Sequence, residues 1–322
     1  MKGMPGSPSS PNRTRTLISF VCIYFFWGST FLAVRYGVEV LPPFVLVTLR
    51  FLIAALIVLG ACVIFRKPVL PSRRELGMLV IIGILMLGLG NPGVAWSEQY
   101  ISSGLASLLA ATIPLYAALI EMLLPNDGGL PARGWLGIFI GFLGLSFLLW
   151  PGLRDSLHGD SRQIIAAGAA LFGAFCWTCA SVISRRTRFR IGGFAAAGWQ
   201  LLFGGLFNLC VMLALGRYHH ARWGVQAWSS VAYLVVFGSL TGFTAYIYLL
   251  DHVPVSKVAT YAYVNPVIAV VLGAVILHER FVPVEYVGMG AVLLAVFLVT
   301  GANLKTGAVN VIDEDIAASG SV

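Results

Sequence analysis

The chain predicts an all-α integral membrane protein: ten transmembrane helices arranged as two inverted five-helix repeats. Three observations carry that prediction: an apolar composition, ten apolar runs of spanning length, and a sparse internal repeat. Of 322 residues, 58% are hydrophobic and only 11% are charged, with a mean hydropathy of +0.88. Soluble domains carry about 25% charged residues, so too few charges exist here to coat a globule facing water. In lipid the demand reverses. Apolar side chains face outward, and helices satisfy their own backbone groups.

An apolar run of about 20 residues crosses the roughly 30 Å hydrocarbon core. Such runs occupy 17–36, 44–65, 76–97, 103–124, 134–150, 163–184, 194–215, 228–250, 257–277 and 284–301. Turn and charge signals mark their edges, among them Pro42-Pro43, Arg66-Lys67-Pro68, Pro151-Gly152 and Pro254. Residues 1–16, rich in Pro and Ser, read as a disordered cytoplasmic tail. The apolar run that follows is longer than a signal-peptide core, so it reads as a retained first helix. A first repeat then covers 17–150, a periplasmic linker 151–162, a second repeat 163–301, and a polar, acidic cytoplasmic tail 302–322.

The net charge of +8 does not mark a nucleic-acid binder, because Lys and Arg sit in short runs between apolar segments. That is the pattern of loops facing anionic lipid. Arg66, Lys67, Arg73 and Arg74 fall on the same side as Arg185, Arg186, Arg188 and Arg190, whereas the other side holds scattered single arginines. The basic side is cytoplasmic, which puts both termini inside a bacterial inner membrane. All five cysteines lie in apolar runs, which argues against a secreted disulfide framework.

At an offset of about 150 residues, Trp27 aligns with Trp177, Arg35 with Arg185, Ala95 with Ala245 and Trp96 with Tyr246. After a short slip, Pro114 meets Pro266, Ala117 meets Ala269 and Pro131 meets Pro283. A five-helix unit is odd, so its second copy enters the membrane from the opposite side. Inverted repeats place a substrate site near the midplane and give a route to alternating access.

Trp27-Gly28-Ser29, Phe31, Arg35, Pro42, Arg50 and Ala54 in the first repeat, with Asn265-Pro266, Ala269, Gly273, Glu279 and Gly288 in the second, carry a resemblance. The chain resembles the drug/metabolite transporter superfamily, specifically its ten-helix EamA family, over 17–301. Its second repeat departs, with Cys176-Trp177-Thr178-Cys179 replacing Trp-Gly-Ser and Gln200 standing where Arg50 stands in the first. The resemblance implies two inverted five-helix bundles, a central cavity, and export of amino acids or related small metabolites. A multidrug or lipid-precursor exporter is the alternative within the same superfamily.

Candidate site residues come from polarity at membrane depth. Arg50 lies about seven residues, roughly 10 Å, inside the second span. At that depth it either faces a polar cavity and holds an anionic group, or snorkels to the headgroups. Arg35, nearer the edge, reads as snorkelling or pairing with Glu39. Pro114 and Pro266 stand at matching places in spans 4 and 9, and each frees a backbone carbonyl. Asn91-Pro92-Gly93 and Thr241-Gly242 are expected to break spans 3 and 8. Trp27, Trp96, Tyr116, Trp177, Tyr246, Tyr261 and Tyr263 cluster near these breaks, and such rings favour an organic ligand over a bare ion. The proposed cavity set is thus Trp27, Arg50, Asn91, Trp96, Pro114, Tyr116, Trp177, Thr241, Tyr246, Tyr263, Asn265 and Pro266. Glu98 and Glu121 are candidates for proton coupling, while Glu279 reads as a surface ion pair with its neighbours.

Other patterns fail on context. Gly88-Leu89-Gly90-Asn91-Pro92-Gly93 fits a dinucleotide fingerprint but lies inside an apolar span with no preceding strand. The Cys176/Cys179 pair is a helix interior, and Gly137 and Gly141 form a face suited to close helix packing. No phosphate-binding P-loop and no zinc-protease motif occurs in the sequence, so the reading carries no cofactor, no metal and no catalytic residue. The expected partners are a small-molecule substrate and the bilayer, in a monomer or homodimer without nucleic acid. A passive channel and an intramembrane enzyme are the competing classes.

Overall fold

Proline, glycine and capping side chains set where the helices begin and end. A computed structural model describes residues 13–122, 132–156, 161–187, 189–252 and 261–298, and every regular element in them is helical. Helix α1 (Arg13–Val38) leads through a tight turn into α2 (Pro43–Ile64), whose first position is Pro43. The fixed φ of proline suits a first helical turn, and its missing donor costs nothing there. Ser72 and Glu75 form a capping box that starts α3 (Arg73–Ser97). Ser102 caps α4 (Ser103–Ala110), and α5 (Ile113–Met122) follows after a break at Ala111–Thr112.

Then come α6 (Ala132–Ser156), α7 (Arg162–Arg186) and α8 (Gly193–Leu215). Gly216, at φ 64°, ends α8 in the left-handed region that glycine enters freely. Helix α9 spans Val225–Tyr246 and continues to His252, followed by α10 (Tyr261–Ile276) and α11 (Pro283–Leu298). Among the described residues, seven helices are long and apolar enough to cross a membrane, and three shorter apolar stretches lie at Ser103–Ala117, Val264–Ile276 and Pro283–Leu298.

The expected boundaries need correction at three places. Helix α1 starts at Arg13, inside the segment read as a disordered tail, because its polar first turn simply extends the apolar helix. Helix α6 runs through Pro151 to Ser156, into the expected linker. The fourth span is two helices, and Pro114 stands in the first turn of the second, where a proline is tolerated, and not at a mid-helix kink.

A further feature was not anticipated. Ile84–Gly90 in α3 and Leu234–Thr241 in α9 are π-helical, and their starts lie about 150 residues apart. A π segment carries i→i+5 hydrogen bonds and displaces one carbonyl from the regular ladder. Neighbouring helices satisfy these carbonyls. Asn208 on α8 donates its side-chain amide to the Leu87 carbonyl at 2.9 Å, and Trp27 on α1 donates its indole N–H to the Gly238 carbonyl at 3.0 Å. The expected breaks at Asn91-Pro92-Gly93 and Thr241-Gly242 are therefore absent. Each helix widens just before those residues and continues.

Two apolar cores hold the bundle. One joins α2, α3, α8 and α9 around Leu46, Phe51, Leu87, Leu201 and Leu234. The other joins α4, α6, α7, α10 and α11 around Leu108, Leu148, Ala166 and Val292. Helices α3 and α7 cross with backbones nearly touching: a Cβ on Gly93 would sit 2.6 Å from the Ala169 carbonyl, and one on Gly173 would sit 2.5 Å from the Gly90 carbonyl. The glycines of the apparent dinucleotide fingerprint thus serve helix packing. Gly141 packs against Leu115 and Ala295, in line with the packing face expected on that helix. Exposed Phe139, Phe142, Phe147 and Trp150 on α6 present an apolar surface of the kind lipid requires.

Candidate functional site

The helices α1, α2, α3, α4, α7 and α10 surround a central cavity of about 880 Å³, counting its open part. Two charged side chains reach it, one of each sign: Arg50 from α2 and Glu98 from the end of α3. Arg50 is 9% exposed and Glu98 is fully buried. The guanidinium is held in place. Its Nε donates to Ser239 Oγ at 3.1 Å, its Nη1 reaches Asn91 Oδ1 at 3.5 Å, and its Cζ lies 5.2 Å from the centre of the Phe51 ring. Gly238 in the π segment makes room for it, since a Cβ there would lie 3.0 Å from Arg50 Nη2. Arg50 therefore faces the cavity, and the snorkelling alternative falls away.

Glu98 is the converse. Neither carboxylate oxygen meets a hydrogen-bond partner among the described residues. Its backbone carbonyl, however, accepts from Nη1 of Arg35. That contact overturns the expected pairing of Arg35 with Glu39. Glu39 instead accepts from Gln226 Nε2 at 3.0 Å, and its carbonyl accepts from Arg222 at 2.7 Å. A buried carboxylate without a donor is costly unless it is protonated or meets a cation.

The remaining wall is aromatic and amide. Trp27 lines the cavity with its indole fixed on the Gly238 carbonyl, and its ring meets Tyr261 edge-on at 5.2 Å. Tyr246 packs behind, 5.1 Å from Trp27, and does not reach the cavity lining. Asn265 and Pro266 line it from α10. The Asn265 amide nitrogen, oriented as the acceptors require, lies 3.0 Å from the Tyr24 carbonyl and 3.3 Å from that of Tyr261. Pro266 has no N–H for the Ala262 carbonyl one turn back, and both residues line the cavity. Gly28 permits this packing of α1 on α10, since a Cβ there would lie 2.9 Å from Ile268 Cβ.

Of the residues expected from sequence, Trp27, Arg50, Asn91, Trp177, Asn265, Pro266 and Glu98 thus meet in one cavity. Trp96 lines a second, separate cavity beside Tyr100. Tyr116 packs edge-on against Phe175 at 5.6 Å, and Pro114 also lies off the central lining. The Thr241 hydroxyl donates to the Val236 carbonyl at 2.8 Å, closing the π segment instead of facing a ligand. The side chains of Tyr263 and Glu121 fall outside the described residues. Among the described residues Glu279 makes no ion pair. Its carboxylate accepts from Ser103 N at 2.8 Å, Ser103 Oγ at 3.0 Å and Gly104 N at 3.3 Å, capping α4 from the far end of the chain. Thr30 and Ser107 line the cavity without having been anticipated. Extending the helical face from Trp27 by three residues would have found Thr30.

Among the described residues no group of three or more His, Cys, Asp and Glu is placed to hold a metal ion. Cys176 and Cys179 are free thiols on α7. An apolar, aromatic chamber with one fixed cation and one unpartnered carboxylate can bind a small organic molecule carrying complementary charge.

Comparison with known proteins agrees with this architecture. The EamA-like transporter family matches residues 14–150 and again 164–301. The chain is 34% identical to the uncharacterized inner membrane transporter YedA of Escherichia coli (strain K12), over 86% of this chain and 88% of that protein. It is 26% identical to the uncharacterized transporter YoaV of Bacillus subtilis (strain 168), over 83% of this chain and 90% of that one. A crystal structure at 22% identity superposes with a TM-score of 0.62, covering 89% of this chain and 97% of the other, which speaks to the fold alone.

Proposed function

The chain belongs to the EamA-like transporter family and is a membrane transporter; from that premise we propose that it exports amino acids or related small metabolites across a bacterial inner membrane. It works as a secondary transporter by alternating access, with ten helices in two inverted five-helix repeats and both termini cytoplasmic. One observation carries the substrate reading: Arg50 and Glu98 face the same small aromatic cavity. Arg50 receives the carboxylate of an amino acid and Glu98 its ammonium. When the site is empty of substrate, Glu98 takes a proton, which couples export to the proton gradient. The matched π segments and the twofold family match support the repeat.

The test is counterflow of a panel of labelled amino acids and organic cations into proteoliposomes. Saturable accumulation of one amino-acid class, lost in Arg50→Gln and in Glu98→Gln, is the expected result. Accumulation of cations alone, retained in Arg50→Gln, would replace this reading with the multidrug one. Trp27 and Tyr261 give that second reading its footing, because ring faces attract organic cations.

A further inference from the structure

A second cavity of about 1700 Å³, counting its open part, lies beyond the Glu98 end of the first. Val34 lines the central cavity and Val38, one helical turn on, lines the second. Likewise Glu98 faces the central cavity, while Gln99 and Tyr100 face the second. The wall between them is therefore thin: the end of α1 and the turn joining α3 to α4. Two side chains hold that turn. Arg35 of α1 donates to the Glu98 carbonyl at its start, and Glu279, in the turn between α10 and α11, takes the Ser103 and Gly104 donors at its end.

Both holds act largely on backbone groups, and both come from outside α3 and α4. His278, at φ 54°, turns the chain so that the Glu279 N–H returns to the Gly273 carbonyl at 3.1 Å. Gly273 leaves the carboxylate its place, since a Cβ there would strike the Glu279 side chain and lie 2.9 Å from Ser103 Oγ. Gly104 is equally confined, 2.6 Å from the Phe281 ring for an added Cβ. Such close tolerances fit a catch that must seat in one position.

We infer that the 98–103 turn is a gate between the central cavity and the outlying one, latched shut by Arg35 and Glu279. This rests on the transporter reading and adds the place at which the path opens. Once the two polar side chains release, the packing of Ile101 in the second core is what still holds the turn, and lifting it exposes Glu98 to the outlying cavity. Neither side chain touches the transported molecule. Each acts through the turn.

The gate is tested by thiol accessibility, with no substrate present. Val94→Cys, on the central cavity wall one turn before Glu98, is placed in a chain whose native cysteines are replaced, reconstituted, and exposed to a membrane-impermeant methanethiosulfonate on the Glu98 side. Slow labelling is expected, rising about tenfold or more with Glu279→Ala or Arg35→Gln, and less with Ser103→Ala, which removes one donor of three. A parallel chain retaining only Cys62, buried at the opposite end of α2, is exposed to the same reagent from its own side of the membrane and reports general loosening. Unchanged Val94→Cys labelling in Glu279→Ala protein that still melts cooperatively overturns the gate. So does an equal rise at Cys62. Where Glu279→Ala does not fold, Ser103→Ala decides by the same comparison. Failure of amino-acid counterflow with a gate that responds would sink the substrate and keep the latch.

Discussion

Arg50 on α2 and Gln200 on α8 stand about 150 residues apart, at matching places in the repeat read from sequence, and both are buried. Each packs near a π segment, yet they do different work. Arg50 bonds Ser239 and faces the cavity, and Gly238 is bare so that the guanidinium fits. Gln200 lies off the cavity, and what touches the other π-bearing helix is its backbone: a Cβ on Gly83 would lie 2.7 Å from the Gln200 carbonyl. One scaffold is thus used twice, once to seat a charge and once to bring two helices together. Two matched π segments share a backbone device, while the residues packed beside them serve different ends.

The comparison breaks first at Arg50. Arg50→Ala leaves Ser239 and Asn91 without their donor and the cavity without its cation, so uptake into proteoliposomes should fall by about 100-fold or more; truncating one buried charged partner costs about 2–5 kcal/mol. Arg50→Lys should recover only part, since an ammonium cannot reproduce the planar fork. Gln200→Ala should leave uptake per folded molecule within about twofold. If it abolishes uptake instead, the two positions share one role and the contrast is lost.

Glycine exchanges sharpen it. Gly238→Ala places a methyl 2.8 Å from Thr30 Cγ2 and 3.0 Å from Arg50 Nη2, so both uptake and the melting temperature should drop; overpacking costs about 1–3 kcal/mol. Gly204→Ala puts its methyl 2.5 Å from Leu87 Cβ, and there the melting temperature alone should fall, by a comparable energy. Smaller still are the side chains that close the π carbonyls. Trp27→Phe should cost about 1 kcal/mol through the Gly238 carbonyl, with an added loss of uptake because Trp27 lines the cavity. Asn208→Ala should cost a similar amount in stability and leave transport intact. Smallest of all, Ser72→Ala should remove the capping box of α3 for about 0.5–1 kcal/mol with no change in uptake.

Hydropathy located the helices because lipid penalises every exposed backbone group, a demand written residue by residue along the chain. Arg50, Trp27 and Asn91 were visible as cavity-lining residues for the same reason: polarity at membrane depth needs a destination. The π segments were not visible. Their sequences, Ile84–Gly90 and Leu234–Thr241, are ordinary apolar runs, and what steadies them are Asn208 and Trp27, far away in the chain. Glu279 was misread for a related cause. Its neighbours His278 and Arg280 suggested an ion pair, whereas its partners lie at Ser103 and Gly104, a relation only the packed structure supplies. Trp96, Thr241 and Tyr246 illustrate the limit of aromatic and polar counting, because a helix has several faces and span position alone does not choose among them.

The crossing of α3 and α7 has a consequence for selection. Gly90 and Gly173 belong both to that crossing and to the cavity wall. Elsewhere the chamber is bounded by side chains such as Trp177 and Tyr261, which can turn about their torsions to accommodate a guest. Here the boundary is main chain against main chain, with no torsion to adjust. Under the proposed function, the girth of a permitted molecule is gauged at that stretch by a fixed calliper, while its length is judged by softer parts. A methyl at either glycine would reset the gauge by moving a whole helix.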